Sequence, residues 1–266
     1  MMNSSNLLEV LRQAVSSAVG RQRRVAVAYS GGLDSSIVAK LASELAETTC
    51  YICALRGSFD AVNAPVFAEQ EGLDSKLIMV EDEGLAGLVG RTSRALNSEE
   101  PVRVAYSIPL ISVIELCSES TVVSGCGADE VFGGYEKYTR VSDPAETMRT
   151  DLQKMLTEER AVGGFARSMG KRFISPFAFE SVLLFSDRLP IGLKVAGGRR
   201  KVLLRDAASS LGLHSHDRPK KAAQYSTGFM KEMRRQARES GLSIGAWVRD
   251  QAWDEPRSEE RRGQRD

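Results

Sequence analysis

The sequence predicts an α/β protein with a doubly wound, mostly parallel sheet and a C-terminal helical extension. Short, continuously apolar segments alternate with helix-periodic segments between residues 25 and 124, as in strands buried on both faces of a parallel sheet. After about residue 135 the strand signal fades, while helical periodicity continues to residue 252. Clusters of small polar residues follow two of the predicted strands, and open α/β sheets bind ligands at such strand ends.

The first half of the chain is an alternation of strands and helices. It begins with an amphipathic helix, whose apolar residues recur on one face and which Gly20 can end. The predicted strands are 25–29, 49–55, 76–80 and 121–124, and the predicted helices are 4–19, 35–46, 62–71, 84–96 and 107–118.

The second half reads as helical, with proline and glycine between the segments. The predicted helices there are 144–169, 177–187, 198–211 and 226–252. We therefore expect a nucleotide-fold core over 1–140, a helical part of the same domain over 141–253, and a disordered, highly charged tail over 254–266.

Composition excludes several classes of protein. A net charge of +1 indicates no global attraction to nucleic acid or to a membrane surface, so we expect neither as a partner. No apolar stretch approaches the roughly 18–20 residues of a membrane span. The four cysteines are few for 266 residues, which favours a reducing compartment, and we expect a cytoplasmic protein.

The stretch YSGGLDSS, residues 29–36, follows the first predicted strand and has the features of a phosphate-binding loop. Helix N-termini offer unpaired N–H groups, and glycine lets the backbone approach an anion. It has Asp34 where a Walker loop would have lysine, and a carboxylate beside phosphate indicates Mg²⁺ between them. The candidate phosphate-binding residues are Ser30, Gly31, Gly32, Asp34, Ser35 and Ser36. The alternative is a glycine turn with a serine cap.

A second acidic loop, VVSGCGADEVFGGYEKY, follows the strand at 121–124. If the sheet brings the two loops together, Asp34 and Asp129 could share one Mg²⁺ ion. The alternative is a capped helix start, in which Asp129 and Glu130 simply suit the helix dipole.

The two loops in this order resemble the synthetase domain of asparagine synthetase and β-lactam synthetase, within the ATP pyrophosphatase (PP-loop) superfamily. The resemblance implies an adenine nucleotide alpha hydrolase-like fold, with ATP and Mg²⁺ as cofactors. It implies that Ser124 and Gly125 contact the nucleotide and that Asp34 and Asp129 ligate Mg²⁺. The segment from Lys201 to Gly228 resembles the family's K-x-x-L-R-x-A and R-x-K motifs, and it implies a catalytic Lys220 near the α-phosphate.

The chain departs from this family where the second substrate is bound. Asparagine synthetases have glutamate at the position of Cys126 and G-x-E-A-R-V-P-F where this chain has GKRFISPF, so Arg172 and Ile174 replace an acid and an arginine. A cysteine at the second position, typical of glutamine-dependent members, is replaced by Met2. We therefore expect no glutaminase domain, and ammonia from solution or from a separate glutaminase subunit.

The remaining cysteines and histidines leave alternatives open. Cys50 and Cys53 have C-x-x-C spacing, but residues three apart in a strand point to opposite faces, which argues against a redox or metal site. Cys126 lies at a helix entry, where the thiol pKa is expected to fall, or it is only a small-residue substitution. His214 and His216 could contact a metal, although no further ligands stand nearby in sequence.

Three functions follow from these patterns. The leading one is an ATP-dependent carbon–nitrogen ligase, which would form an acyl-adenylate from a small carboxylate and transfer the acyl group to ammonia or another amine. The second is a sulfurtransferase with Cys126 as carrier, and the third is a non-catalytic ATP-binding relative. The oligomeric state stays open, with a homodimer among the alternatives.

Overall fold

The computed structural model describes residues 3–218 and 222–253 of the chain. Lys220 and the tail expected to be disordered, 254–266, lie outside these residues. Within them, no helix combines the length and the apolar character that a membrane crossing requires.

A five-stranded parallel sheet forms the centre of the molecule. Its strands are β1 (Arg24–Ala28), β2 (Glu47–Leu55), β3 (Ser75–Val80), β4 (Thr121–Ser124) and β5 (Arg172–Ile174). The spatial order is β3-β2-β1-β4-β5, and every neighbouring pair is parallel. The predicted doubly wound α/β fold is confirmed.

The helices cover both faces of this sheet and continue beyond it. They are α1 (Ser4–Val19), α2 (Leu33–Ser43), α3 (Phe59–Gln70), α4 (Leu85–Leu96), α5 (Pro101–Leu116), α6 (Ala128–Phe132), α7 (Pro144–Ser168), α8 (Glu180–Asp187), α9 (Ile191–Lys194), α10 (Val202–Ser210), α11 (Ala223–Ser226), α12 (Phe229–Glu239) and α13 (Ile244–Trp253). A small antiparallel hairpin, β6 (Val195–Ala196) and β7 (Arg199–Arg200), precedes α10.

Two expectations for the second half are wrong. The fifth strand, β5, lies beyond residue 135, where no strand was expected, because three residues are too short for a periodic pattern. The single helix expected over 226–252 is two helices, α12 and α13. Gly241 has a left-handed φ of 69° and lies in the break between them, as glycines at helix ends commonly do.

Residues of the central strands alternate between two hydrophobic clusters, one on each face of the sheet. Val25 and Val27 join the cluster with α1, α2 and α10, whereas Ala26 joins the cluster with α4, α5 and α13. Cys50 and Cys53 likewise fall in different clusters, which confirms that the C-x-x-C residues face apart. Burial raises the pKa of each of these thiols to about 12, so both are protonated at neutral pH.

The strand order reverses between β1 and β4. The chain runs from β1 to β2 and β3 in one direction, and then returns to place β4 and β5 on the other side of β1. The loops that leave the carboxyl ends of β1 and β4 therefore lie side by side at one edge of the sheet, where open α/β sheets bind ligands. Both glycine-rich loops identified in the sequence leave these two strands.

Lys171 links β5 to the end of α5. Its ammonium donates hydrogen bonds to the carbonyl oxygens of Ile114 at 2.5 Å and Cys117 at 2.7 Å, and more weakly to Glu115 at 3.4 Å. Cations stabilise the unpaired carbonyls and negative dipole at a helix C-terminus.

We expect Lys171→Met to lower the free energy of unfolding by about 1–3 kcal/mol, because these partly buried carbonyls lose a charged donor. Urea denaturation measures the change. Lys154→Met, at an exposed position of α7, is the control and should change stability little. Equal stability of the two variants would contradict a structural role for Lys171.

Candidate functional site

At one position of the loop after β1, the backbone conformation and the nearby side chain leave room only for glycine. Gly31 has a φ of 71°, and a Cβ atom there would lie 2.5 Å from Cδ2 of Phe67. The next residue, Gly32, is the N-cap of α2 and provides no side chain to cap it. The first N–H groups of α2 therefore remain available for an external acceptor.

The serines of this loop are divided between two environments. The Ser35 hydroxyl accepts a hydrogen bond from the Ser30 N–H at 3.3 Å and donates one to the Gly32 carbonyl at 3.2 Å. These two bonds stabilise the conformation of the loop. The Ser36 side chain is fully buried and pairs with the Tyr29 hydroxyl at 3.2 Å. Phosphate binding by Ser36 stays a prediction, and in this conformation its hydroxyl is directed to Tyr29.

The loop after β4 packs directly on the loop after β1. A Cβ atom at Gly125 would lie 2.8 Å from the Ser35 backbone nitrogen, so the two loops touch at a glycine. The buried Ser124 hydroxyl pairs with the Ser175 hydroxyl at 3.1 Å and accepts a hydrogen bond from the Cys126 N–H at 3.3 Å. The structure therefore brings together the two loops that the sequence placed at separate strand ends.

A buried lysine lies between the two aspartates expected to bind metal. Nζ of Lys201 is 2.6 Å from both carboxylate oxygens of Asp34 and 2.6 Å from Oδ1 of Asp129. The Lys201 side chain is 5% exposed, and the two carboxylates are 24% and 21% exposed. Burial lowers the pKa of the ammonium, but the charges of Asp129 and Asp34 outweigh burial and raise this pKa above its ordinary value.

Lys201 reaches this position from a strained backbone. It directly precedes α10 with a φ of 56°, a left-handed conformation that is uncommon outside glycine. Gly134 makes room for the pair, since a Cβ atom there would lie 1.7 Å from Oδ1 of Asp129 and 2.3 Å from Cε of Lys201.

Asp34 and Asp129 have the chemistry of a magnesium site. Carboxylate oxygens are ligands that Mg²⁺ prefers, and Mg²⁺ usually takes one or two of them and completes its shell with water and phosphate oxygens. Among the residues that the structure describes, no cluster of three or more His, Cys, Asp or Glu side chains forms a metal site. The two carboxylates suit a Mg²⁺ ion that arrives bound to a phosphate group. Metal ligation by Asp34 and Asp129 stays a prediction.

A network around Glu71, which the sequence did not indicate, holds the loop after β1. Glu71 is the C-cap of α3, its side chain is 1% exposed, and it lies 3.1 Å from the Arg218 guanidinium. Arg218 donates to the Gly31 carbonyl at 2.9 Å and stacks 3.9 Å above the Phe67 ring. A lone glutamate at a helix end has no sequence signature, whereas Arg218 belongs to the R-x-K motif.

The H-x-H segment is part of this network. Glu71 accepts hydrogen bonds from the backbone N–H groups of His214 at 3.1 Å and Ser215 at 3.0 Å. Arg205 donates to the His216 carbonyl, which fixes the same turn from α10. His214 is exposed, and the turn serves to place Arg218. Lys220 follows two residues later, outside the described residues, and its catalytic role stays a prediction.

The Cys126 thiol is not activated. Burial raises its pKa to about 12, and the negative charges of Glu130, Glu159 and Asp129 add to the increase. The expectation of a lowered pKa is wrong, because the helix that begins after Cys126, Ala128–Phe132, has only five residues and carboxylates oppose its dipole. The thiol is protonated at neutral pH.

Two acids near Cys126 have raised pKa values. Burial raises the pKa of Glu130 to about 7, with a further increase from the charge of Asp129, while the Tyr135 hydroxyl donates to Glu130 at 2.6 Å. Burial also raises the pKa of Glu159, a residue of α7 that the sequence did not single out.

Arg172 and Ile174 lie in β5, and they replace the acid and the arginine of the G-x-E-A-R-V-P-F motif. Arg172 pairs in register with Thr121 and is exposed, and Ile174 pairs with Val123 and packs partly against the core. Arg172 is thus about 10 Å along the strand direction from Ser124, at roughly 3.3 Å per residue.

Comparison with known proteins gives a consistent result. Residues 6–172 match the family model described as asparagine synthase. In an alignment 276 positions long, the chain is 27% identical to a protein of Methanocaldococcus jannaschii described as a glutamine-hydrolyzing asparagine synthetase. The alignment covers 88% of this chain and 51% of that protein. A protein of Acanthamoeba polyphaga mimivirus, also described as a glutamine-hydrolyzing asparagine synthetase, is 24% identical in an alignment 163 positions long. This alignment covers 58% of this chain and 29% of that protein.

A solved structure shares the fold. NMN synthetase from Francisella tularensis superposes with a TM-score of 0.50 at 12% identity, covering 95% of this chain and 92% of that chain. The chain spans about half the length, or less, of the curated relatives it matches.

We expect Gly125→Ala to lower the free energy of unfolding by about 1–3 kcal/mol, because the methyl group forces the two loops apart. Chemical denaturation provides the measurement. Gly192→Ala, where a Cβ atom meets nothing within 4 Å, is the matched control and should cause no such loss. A fully stable Gly125→Ala protein would show that the loops are not in contact.

Lys201→Met should remove the ammonium group that lies between two close carboxylates. We expect a loss of about 1–3 kcal/mol, below the cost for a fully buried pair because both carboxylates are partly solvated. Magnesium chloride should raise the melting temperature of this variant more than that of the wild type, with potassium chloride at equal ionic strength as control. Equal responses to magnesium would count against a shared ion site at Asp34 and Asp129.

Proposed function

Because the chain belongs to the asparagine synthase family, we propose that it is an ATP-dependent, AMP-forming carbon–nitrogen ligase. A carboxylate oxygen of the substrate attacks the α-phosphorus of ATP, the bond to the β-phosphate breaks, and pyrophosphate leaves. The nitrogen of ammonia or another amine then attacks the acyl carbon of the adenylate and AMP leaves.

The observation that carries this proposal is the meeting of the two loops around Lys201. Asp34 and Asp129 come from the ends of β1 and β4, the strands on either side of the point where the sheet order reverses. This is where open α/β sheets bind nucleotides. The uncapped N-terminus of α2 adds N–H donors for a triphosphate at the same place.

Each charged residue has a distinct task in this proposal. Asp34 and Asp129 would hold Mg²⁺, which when bound neutralises charge on the triphosphate and on the leaving pyrophosphate. Lys201 carries a permanent positive charge beside them and can donate to phosphoryl oxygens as their charge builds. Arg218 keeps the loop in shape through the Gly31 carbonyl, so the N–H donors are arranged before the substrate arrives.

The substrates and partners of this reaction are part of the proposal. We expect a small carboxylate as acyl donor and ammonia as nitrogen donor, taken from solution or from a separate glutaminase subunit. Aspartate is the first carboxylate to test, although Cys126 and Arg172 replace the acids that asparagine synthetases have at these positions.

Nucleotide binding without catalysis is the second candidate. It is favoured by the protonated Cys126 thiol and the exposed Arg172, neither of which can replace an acid in the second half of the reaction. The same raised thiol pKa argues against a sulfurtransferase that uses Cys126, since the thiolate is the nucleophile in such chemistry.

We expect the wild type to release pyrophosphate from Mg-ATP with at least one member of a panel of carboxylates, L-aspartate included, in the presence of ammonium chloride. Asp34→Asn should lower this rate by about 10²-fold or more, because a carboxylate that would hold the Mg²⁺ ion neutralising the phosphates is lost. Asp206→Asn, at an exposed position of α10, is the matched control and should retain the wild-type rate.

Two results would contradict the ligase. One is pyrophosphate release that Asp34→Asn does not diminish. The other is calorimetric binding of ATP by the wild type without pyrophosphate release with any carboxylate, which would establish the non-catalytic alternative.

A further inference from the structure

The Lys201 ammonium group has as many carboxylate oxygens around it as it has donors. A lysine has three N–H donors and no acceptor. Three oxygens lie 2.6 Å from Nζ of Lys201, two of them from Asp34 and one from Asp129. In this conformation the ammonium has no donor left for a phosphate group, and it can bind one only when a carboxylate releases it.

The same three oxygens are those that would ligate a magnesium ion. Mg²⁺ binds its oxygen ligands at about 2.1 Å. An ion bound to any of these oxygens would lie within about 4.7 Å of Nζ, since each oxygen is itself 2.6 Å from that atom. Two positive charges this close repel each other strongly where little water screens them. The ion and the ammonium therefore disfavour each other between these carboxylates.

The surrounding residues hold Lys201 at the two carboxylates. Its side chain is 5% exposed, and the backbone of Gly134 lies so close that a Cβ atom there would be 2.3 Å from Cε of Lys201. Arg200, the preceding residue, donates to the Gly134 carbonyl at 3.2 Å, and Arg205 donates to the Arg200 carbonyl at 3.1 Å. The fold therefore places this ammonium on the carboxylates, unlike that of a surface lysine.

A nucleotide would provide the oxygens that release Lys201. Gly32, the N-cap of α2, makes no side-chain hydrogen bond, so the first N–H groups of this helix can bind a phosphate group. Asp34 lies in the first turn of the same helix. A triphosphate bound there brings negatively charged oxygens next to the Asp34 carboxylate, and these oxygens can take over the ammonium.

We propose that Lys201 blocks Asp34 and Asp129 against free Mg²⁺ and releases them only when a nucleotide brings the ion. This inference rests on the nucleotide site of the proposed function and not on the reaction that follows. Lys201 binds the two carboxylates in the nucleotide-free protein, passes to phosphate oxygens when the Mg-nucleotide complex binds, and returns to the carboxylates when the products leave. Binding of the ion is thereby coupled to binding of the nucleotide.

The test measures the binding of Mn²⁺, which favours the same oxygen ligands as Mg²⁺ and is followed by electron paramagnetic resonance. The wild type is compared with Lys201→Met at constant ionic strength, first without nucleotide and then with α,β-methylene-ATP. This analogue cannot be split between its α- and β-phosphates, so the measurement requires no turnover. Lys194→Met, which removes a half-buried ammonium on α9, is the matched control.

Without nucleotide, we expect Lys201→Met to bind Mn²⁺ at least about tenfold more tightly than the wild type, as for two ligands that exclude each other. Lys194→Met should bind the ion as weakly as the wild type. Adding Asp129→Asn to Lys201→Met should remove the gain, which would place the ion at these carboxylates.

The nucleotide analogue should raise the Mn²⁺ affinity of the wild type by a larger factor than that of Lys201→Met. The phosphate oxygens offer the ion the same ligands in both proteins, and only the wild type must first release Lys201.

Two results would overturn the proposal. One is binding of Mn²⁺ by the nucleotide-free wild type as tightly as by Lys201→Met. The other needs no lysine variant: the wild type binds free Mn²⁺ as tightly as in the presence of the analogue, and Asp129→Asn abolishes this binding. The ion would then share the carboxylates with the ammonium.

The ligase function is tested separately. A wild type that releases pyrophosphate but also binds free Mn²⁺ at Asp129 this tightly would contradict only the role of Lys201. The expected pattern of Mn²⁺ binding without pyrophosphate release would contradict only the ligase.

Discussion

One buried ammonium group joins the parts of the candidate site. Lys201 lies between Asp34 on α2 and Asp129 on α6, at 2.6 Å from each carboxylate. Two carboxylates that share one ammonium group repel each other, and the positive charge of Lys201 offsets this repulsion. Because Lys201 follows the β6–β7 hairpin in the second half of the chain, the helical half supplies part of the site.

The close approach of the two loops depends on two glycines and on the ion pair between Arg218 and Glu71. Gly125 lets the backbones touch, and Gly31 adopts a left-handed conformation directly against Phe67. Arg218 holds this strained loop by its carbonyl, and buried Glu71 holds Arg218. An unpaired carboxylate in so buried a position would be costly, so the ion pair keeps the loop and the 214–218 turn in a fixed relation.

Two acids in the region of Cys126, Glu130 and Glu159, have shifted pKa values. Glu130 and Glu159 have raised pKa values because both are withdrawn from water, and Glu130 also faces the charge of Asp129. The thiol at position 126 stays protonated among these negative charges.

The sequence by itself determined the fold class, most helices and four of the five strands of the central sheet, because apolar periodicity and glycine-rich strand ends are local signals. It also located both loops and both aspartates. Only the tertiary structure decided which distant groups meet. Lys201 reaches Asp34 across 167 positions, and Glu71 binds the backbone of Ser215 across 144. Such long-range contacts produce no periodic pattern in the sequence, because they depend on the spatial order of the strands. They also depend on burial, which removes the water that would otherwise screen each charge.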